Sequence, residues 1–302
     1  MKYLADIAAM YFVEGLTQAE IAKKVGVTRS MISYLIKESR DSGIVQITIN
    51  QPIQENEELE KRMQDAFDLM RVVVVDSLSG TKVLPMIGKA ASEVLIDELE
   101  PGDTLGTSWG SSISATVDAL DPKTYIPDLT IVQLLGALSG RLKEYDAHHH
   151  LQQLVSKLGG IGLYLNAPLV VEDNHFAKTL MQSRGIQDTL QAGSHSNVAL
   201  LGVGSVTTEE SPYFHTGYFS EREIKEMQSG GTVGDVCGHF FNIKGEPTAG
   251  EFASKIPQRL GIAGGPYKVK PIIGALKGGY VNILVTDSNT AESILMEINQ
   301  HA

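Results

Sequence analysis

At 302 residues, with 42% hydrophobic and 20% charged residues, the chain is long enough for two packed domains and too apolar to be disordered. A formal charge of −11 argues against nucleic-acid binding by its bulk, and no apolar run reaches the roughly 18 residues of a membrane-spanning helix. Cys237 is the only cysteine, which excludes an internal disulfide and fits a reducing, cytoplasmic setting.

The charge is unevenly placed. Residues 1–45 hold six Lys/Arg against five Asp/Glu, a net of +1, which leaves the remainder at −12. Leu4, Ile7, Ala8 and Tyr11 follow the i, i+3, i+4, i+7 spacing of an amphipathic helix, and Gly15 ends it. The opening "MKYLADIAAMYFVEG" lacks a small-residue cleavage site and does not read as a signal peptide. Thr17 is the expected N-cap of a second helix, with Glu20 completing a capping box; it buries Ile21, Ala22 and Val25 and breaks at Gly26. Thr28 caps a third helix with apolar positions Met31, Ile32, Leu35 and Ile36, and Gly43 closes it in a left-handed conformation.

A small residue where two helices cross, a glycine at the turn and branched apolar residues in the wedge make a helix-turn-helix. Its outer face carries Thr28, Arg29, Ser30, Ser33, Tyr34 and Lys37, with Thr17 and Gln18 at the start of the preceding helix. Short hydroxyls and long cations suit phosphates and base edges, so double-stranded operator DNA is the expected partner. The alternation of "IVQITIN" after Gly43 reads as a half-buried strand. Pro52 and the acidic run after it mark a linker, dividing the chain into a DNA-binding domain over 1–52 and an effector and oligomerisation domain over 53–302. A helix over 57–70 follows, with Leu59, Met63, Phe67 and Met70 in one stripe, available to its own domain or to a partner subunit.

From Arg71, short apolar runs alternate with helical stretches: "RVVVVD", "DTLGTSWG", "LTIVQLLG", "IGLYLNAPLVV", "VALLGVG" and "VNILVTD", with helices over 83–99, 111–120 and 149–158 among them. Strands buried on both faces and separated by helices predict a mostly parallel, Rossmann-like α/β sheet, whose ligand binds beyond the carboxyl ends of the strands. Three such ends are rich in glycine and donors. In "GTSWGSSIS", Gly110 lets the backbone come close while Ser108, Ser111 and Ser112 stand at a helix N-terminus. "LGVGSVTT" is a second, and "AGGPYK" adds Lys268. None of these is a nucleotide-binding glycine motif, so no cofactor is expected, and the three together favour a small phosphorylated ligand.

"GLTQAEIAKKVGVTRSMISYLIKESRDSGIVQI", "GTSWGSSI", "GTVGDVCGHFFNIKG", "AGGPYKVKPIIGALKGG" and "NILVTDSNTAESIL" together resemble the SorC family of bacterial transcriptional regulators over nearly the whole length. The resemblance implies an effector domain related to sugar-phosphate isomerases and deaminases, a phosphorylated-sugar effector, and tetramers on DNA; the small footprint of one recognition helix by itself calls for dimers or tetramers. It implies a phosphate turn at Gly110, Ser111 and Ser112, with Lys268 and Asp235 as further ligand contacts. Where the family often has two glycines, this chain has Gly136 followed by Ala137. Gln133 and Asn166 are candidates for sugar hydroxyls.

His148, His149 and His150 are adjacent rather than spaced i, i+4, and no Cys or Glu pair completes a shell, so no metal site is expected. Asp235, Cys237 and His239 raise the alternative of an isomerase or deaminase with a DNA-binding appendage. The favoured reading is that Asp235 bonds a ligand hydroxyl, Cys237 fills the core and Trp109 packs. The expectation is therefore a regulator, not an enzyme: a repressor of a carbohydrate catabolic operon, relieved by a sugar phosphate.

Overall fold

The computed structural model describes residues 2–45, 53–77, 82–137, 146–171, 173–249 and 256–300. The chain forms two compact units, Met1–Pro52 and Ile53–Ala302. In the first, α1 (Lys2–Phe12), α2 (Gln18–Val25) and α3 (Arg29–Asp41) enclose a small core of Ile7, Ile21, Ala22, Ile32 and Ile36. The capping box at α2 is complete: Thr17 Oγ1 accepts from the Glu20 N–H, and the Glu20 carboxylate accepts from the Thr17 N–H at 2.8 Å. Those hydrogen bonds, led by the Thr17 hydroxyl, hold the Glu20 carboxyl below its ordinary pKa. Gly26 ends α2 in the left-handed region (φ 76°), and Thr28 Oγ1 caps α3 by accepting from the Met31 N–H.

Two expectations in this unit need adjustment. Met31 is 45% exposed, because the inward stripe of α3 runs through Ile32, Ile36 and Ser39 instead. The C-cap of α3 is Ser42, with Gly43 taking the left-handed conformation one residue later. The strand expected over 44–50 lies mostly outside the described residues.

The second unit begins with α4 (Glu57–Phe67), shorter than the sequence stripe suggested. Asp68 turns left-handed (φ 51°) and ends it, leaving Met70 59% exposed. Leu59 and Met63 pack inside their own unit, on a core shared with Val72, Val74 and Ile294. The strands and helices that follow are β1 (Arg71–Val75), α5 (Val83–Glu98), β2 (Thr104–Thr107), α6 (Ser111–Ala119), β3 (Thr130–Gln133), α7 (Ala147–Leu158), β4 (Ile161–Leu163), α8 (Asn174–Met181), α9 (Arg184–Ser194) and β5 (Val198–Gly202). Then come β6 (Gly204–Ser205), α10 (Pro212–His215), α11 (Glu221–Ser229), β7 (Thr232–Val236), β8 (His239–Asn242), β9 (Pro247–Ala249), β10 (Gln258–Ile262), α12 (Val269–Lys277), β11 (Ile283–Asp287) and α13 (Ser288–Gln300).

Seven strands form one parallel sheet in the order β1-β11-β10-β5-β2-β3-β4. The valine run of β1 shows why its strands read as continuously apolar. Val73 and Val75 enter a core with α5, α6 and α7, while Val72 and Val74 enter the opposite core with α4, α12 and α13. Each valine so buried stabilises the fold by about 1.5–3 kcal/mol.

A second sheet, antiparallel in the order β6-β7-β8-β9, grows from the end of β5. It had no strand signal in the sequence: β7 reads "TVGDV", with a glycine and an aspartate in five residues, and β6 has two residues. Strand β10 was hidden in the same way, since its first residues are Gln258 and Arg259. Helix α7 starts at Ala147, earlier than the expected 149, because Asp146 caps it.

Candidate functional site

In the N-terminal unit, Arg29, Ser30, Ser33, Tyr34 and Lys37 are all exposed on α3, as their helical spacing required, Thr28 is exposed at its N-cap, and Gln18 of α2 is half-buried. Gln18, Ser30, Ser33, Tyr34 and Lys37 border one shallow groove. Thr17 is different. Its hydroxyl accepts from the Glu20 N–H and donates to the Glu20 carboxylate at 2.7 Å, so it serves the cap before anything else.

In the larger unit, the chain leaves β2 toward β3 on one side and, after β5, returns to β10 on the other. The carboxyl ends of β2 and β5 are therefore a topological switch point, where open parallel sheets bind ligands. A cavity of about 370 Å³ lies there, lined by Ser108 to Ser112, Gly202 to Gly204, Glu209, Glu210, Pro212, His215, Asp235, Cys237 and Lys268. Six of the nine sequence candidates meet in it: Ser108, Gly110, Ser111, Ser112, Asp235 and Lys268.

Each wall has a local cause. Gly110 is the N-cap of α6 at φ 122°, a conformation that L-residues avoid, and no side chain caps that helix. The first N–H groups of α6 thus have no side-chain cap, and the Ser112 hydroxyl stands beside them. Ser108 is buried and its Oγ accepts from the Gly202 N–H at 3.2 Å, so its hydroxyl ties β2 to β5. Lys268 ends the 3₁₀ turn Pro266–Lys268, and its Nζ donates to the Val203 carbonyl at 2.9 Å. That turn is held from below by Asp287, whose Oδ2 accepts from the Gly265 N–H at 3.1 Å while Oδ1 accepts from the Thr290 N–H.

Asp235 on β7 is only 4% exposed. Its Oδ2 accepts from the Tyr213 hydroxyl at 2.9 Å and the Gly238 N–H at 3.1 Å. Oδ1 lies over Gly204, where any Cβ would come within 1.9 Å of it, so a larger residue at 204 would displace the Asp235 carboxylate. Burial raises the Asp235 pKa, opposed by the bonds from Tyr213 and Gly238 and then by the charge of Lys268. The Tyr213 hydroxyl is pushed well above its ordinary value, first by burial and then by Asp235. Burial likewise lowers Lys268, which Glu210 and Asp235 partly restore.

Cys237 and Gly238 form the two-residue turn between β7 and β8, both with positive φ (49° and 76°). Cys237 was expected to fill the core. It does pack against apolar neighbours, but it also lines the cavity, its thiol pushed up to about 12 by burial and by Asp235. Trp109 is buried and packs edge-to-face on Tyr213 with ring centroids 5.2 Å apart, and it also lines the cavity.

Three candidates lie outside the cavity. Gln133 is fully buried, its Nε2 donating to the Leu135 carbonyl at 2.7 Å and its Oε1 accepting from the Leu165 N–H, so both polar ends are committed to the chain. Gly136 faces the backbone of Pro168, whose oxygen would be 2.3 Å from any Cβ: this glycine serves chain packing. Asn166 is exposed and does not line the cavity. Missed by the sequence reading were Glu209, Glu210 and His215 at the rim, and Tyr213 and Asp287 behind it. Only "VTDSNT" carried a usable sign, a serine- and threonine-rich helix start after a strand-end aspartate.

A helix-turn-helix unit joined in one chain to a doubly wound body with a cavity at its switch point defines an effector-responsive DNA-binding protein. Residues 51–296 match the Sugar-bind family of sugar-binding domains, and residues 5–42 match region 4 of sigma-70. The chain is 31% identical to the sorbitol operon regulator of Klebsiella pneumoniae, over 98% of both proteins. It is 26% identical to the deoxyribonucleoside regulator of Bacillus subtilis, over 97% of both. The crystal structure of the full-length Klebsiella regulator superposes with a TM-score of 0.75, at 29% identity, covering 97% of this chain and 98% of that one. The chain belongs to the SorC family of sugar-binding transcriptional regulators.

Proposed function

We propose that the protein represses a carbohydrate catabolic operon and releases it when a phosphorylated sugar occupies the switch-point cavity. The observation that carries this reading is that the uncapped start of α6, with Ser111 and Ser112, and the Lys268 ammonium border one cavity. Main-chain N–H groups plus one cation suit a phosphoryl group, and the remaining polar lining suits hydroxyls. Residues 1–52 hold operator DNA through the face of Arg29, Ser30, Ser33, Tyr34 and Lys37, with Gln18, Thr17 and Thr28 at the helix starts. One such module covers too little DNA for gene-level specificity, so dimers or tetramers formed by residues 53–302 are part of the reading.

The site is read as one that binds rather than catalyses. Tyr213 and Gly238 occupy Asp235 Oδ2, and a thiol near 12 supplies almost no thiolate at neutral pH. The relatives found are named as regulators of transcription, in keeping with this.

A double dissociation tests the assignment. Arg29→Ala weakens operator binding about tenfold or more in a gel-shift titration and leaves sugar-phosphate binding intact. Lys268→Ala leaves operator binding intact but weakens the effector about tenfold to a hundredfold by calorimetry, the loss of one charge-assisted contact. Retained effector affinity in the Lys268 variant would place the phosphate elsewhere, and turnover of a pentose or hexose phosphate would restore the enzyme reading.

A further inference from the structure

The cavity has a second charged wall. The segment that follows β6 puts Glu209 and Glu210 at its rim, and His215 from α10 stands with them. That segment is folded tightly on itself. The Glu210 N–H donates to Thr207 Oγ1 at 3.3 Å, the Ser211 N–H donates to the Thr207 carbonyl at 2.8 Å, and His215 Nε2 donates to the Glu209 carbonyl at 3.0 Å. The backbone that carries the two carboxylates is therefore set at the mouth by a built turn, with both side chains exposed. Facing them, Lys268 already lies within the field of Glu210 and Asp235. Among the described lining residues it is the one Lys or Arg, and the phosphate turn needs it.

We propose that Glu209 and Glu210 act as a charge filter, making the cavity selective for a monophosphorylated sugar and excluding bisphosphates. The inference rests on the phosphate site proposed above and deepens it. One phosphoryl dianion is matched by the start of α6 and Lys268. A second would have to lie against two carboxylates with no further Lys or Arg among the described lining residues to pair with, whereas sugar hydroxyls can donate to those same carboxylates. The filter works on ligand charge, so it separates glucose 6-phosphate or ribose 5-phosphate from fructose 1,6-bisphosphate regardless of which sugar fits best.

The test is calorimetry and thermal shift on the full-length protein with a panel of pentose and hexose monophosphates and fructose 1,6-bisphosphate, for the parent and for Glu209→Gln/Glu210→Gln. Both side chains are exposed, so the variant should melt at the parent's temperature. The expected result is that at least one monophosphate binds the parent, that the bisphosphate binds at least about tenfold more weakly, and that the double variant erases this gap. A parent that binds the bisphosphate as tightly as the best monophosphate overturns the filter while leaving the phosphate site standing. So does a double variant that keeps the parent's preference. If no phosphorylated probe binds, inorganic phosphate included, the site reading beneath falls as well.

Discussion

The N-terminal unit holds three helices together with a handful of buried side chains, Ile7, Ile21, Ala22, Ile32 and Ile36, and sets their ends with local caps at Thr17 and Thr28. The larger unit reverses the proportion. Its sheet is sandwiched between two extensive cores, and its functional turns are held by partners far away in sequence, as when Ser108 reaches Gly202 across 94 residues. Where contacts are local, a surface can be varied for recognition while the scaffold stays put. Where they are distant, a cavity can be assembled from several strand ends, and each wall depends on the others. A reader of DNA and a sensor of a small molecule are thus built on different balances of local and long-range interaction.

The sharpest way to break this contrast is to hollow out the small core. Ile32 is fully buried, and Ile32→Ala should cost about 3 kcal/mol, enough to unfold so small a unit at growth temperature. Calorimetric scanning should show that loss confined to residues 1–52, with the main transition of the body unmoved; a matching fall in the body would mean that the two fold as one. A cap deletion is milder. Thr17→Ala removes the hydroxyl half of the capping box, leaving the backbone N–H of residue 17 on Glu20, and should destabilise the unit by about 1 kcal/mol, read as a lower melting point and weaker operator binding.

The smallest effect belongs to the body and depends on pH. Because burial raises the Asp235 pKa, the folded protein holds that proton more tightly than the unfolded chain does. The stabilisation is complete below the ordinary carboxylate range and fades as pH rises through the elevated value. Asp235→Asn, which keeps an acceptor for Tyr213 and Gly238, should therefore melt close to the parent at acid pH and gain on it toward neutrality. A variant that instead falls behind the parent as pH rises would show that the bonds to Asp235, and not its burial, dominate.

The sequence carried the three N-terminal helices almost residue for residue. Caps and glycine stops act within four residues, and the exposed stripe of α3 follows from helical spacing alone. Met31 escaped that logic because the inward stripe of α3 runs one position away, through Ile32, Ile36 and Ser39. In the body, the apolar runs announced a parallel sheet, and "GTSWGSSI" and "AGGPYK" marked two of the turns that border the cavity. Strand order was not legible. It depends on which helices cover which face, and that is decided by the packing of the whole unit. So the sequence could nominate Ser112 and Lys268 separately, but only the tertiary structure brought them to one cavity, sent Gln133 and Gly136 to structural duties, and set Glu209, Glu210, Tyr213 and Asp287 around it. Periodicity records whether a side chain is buried; who its distant neighbours are is fixed by the many weak contacts that order the sheet.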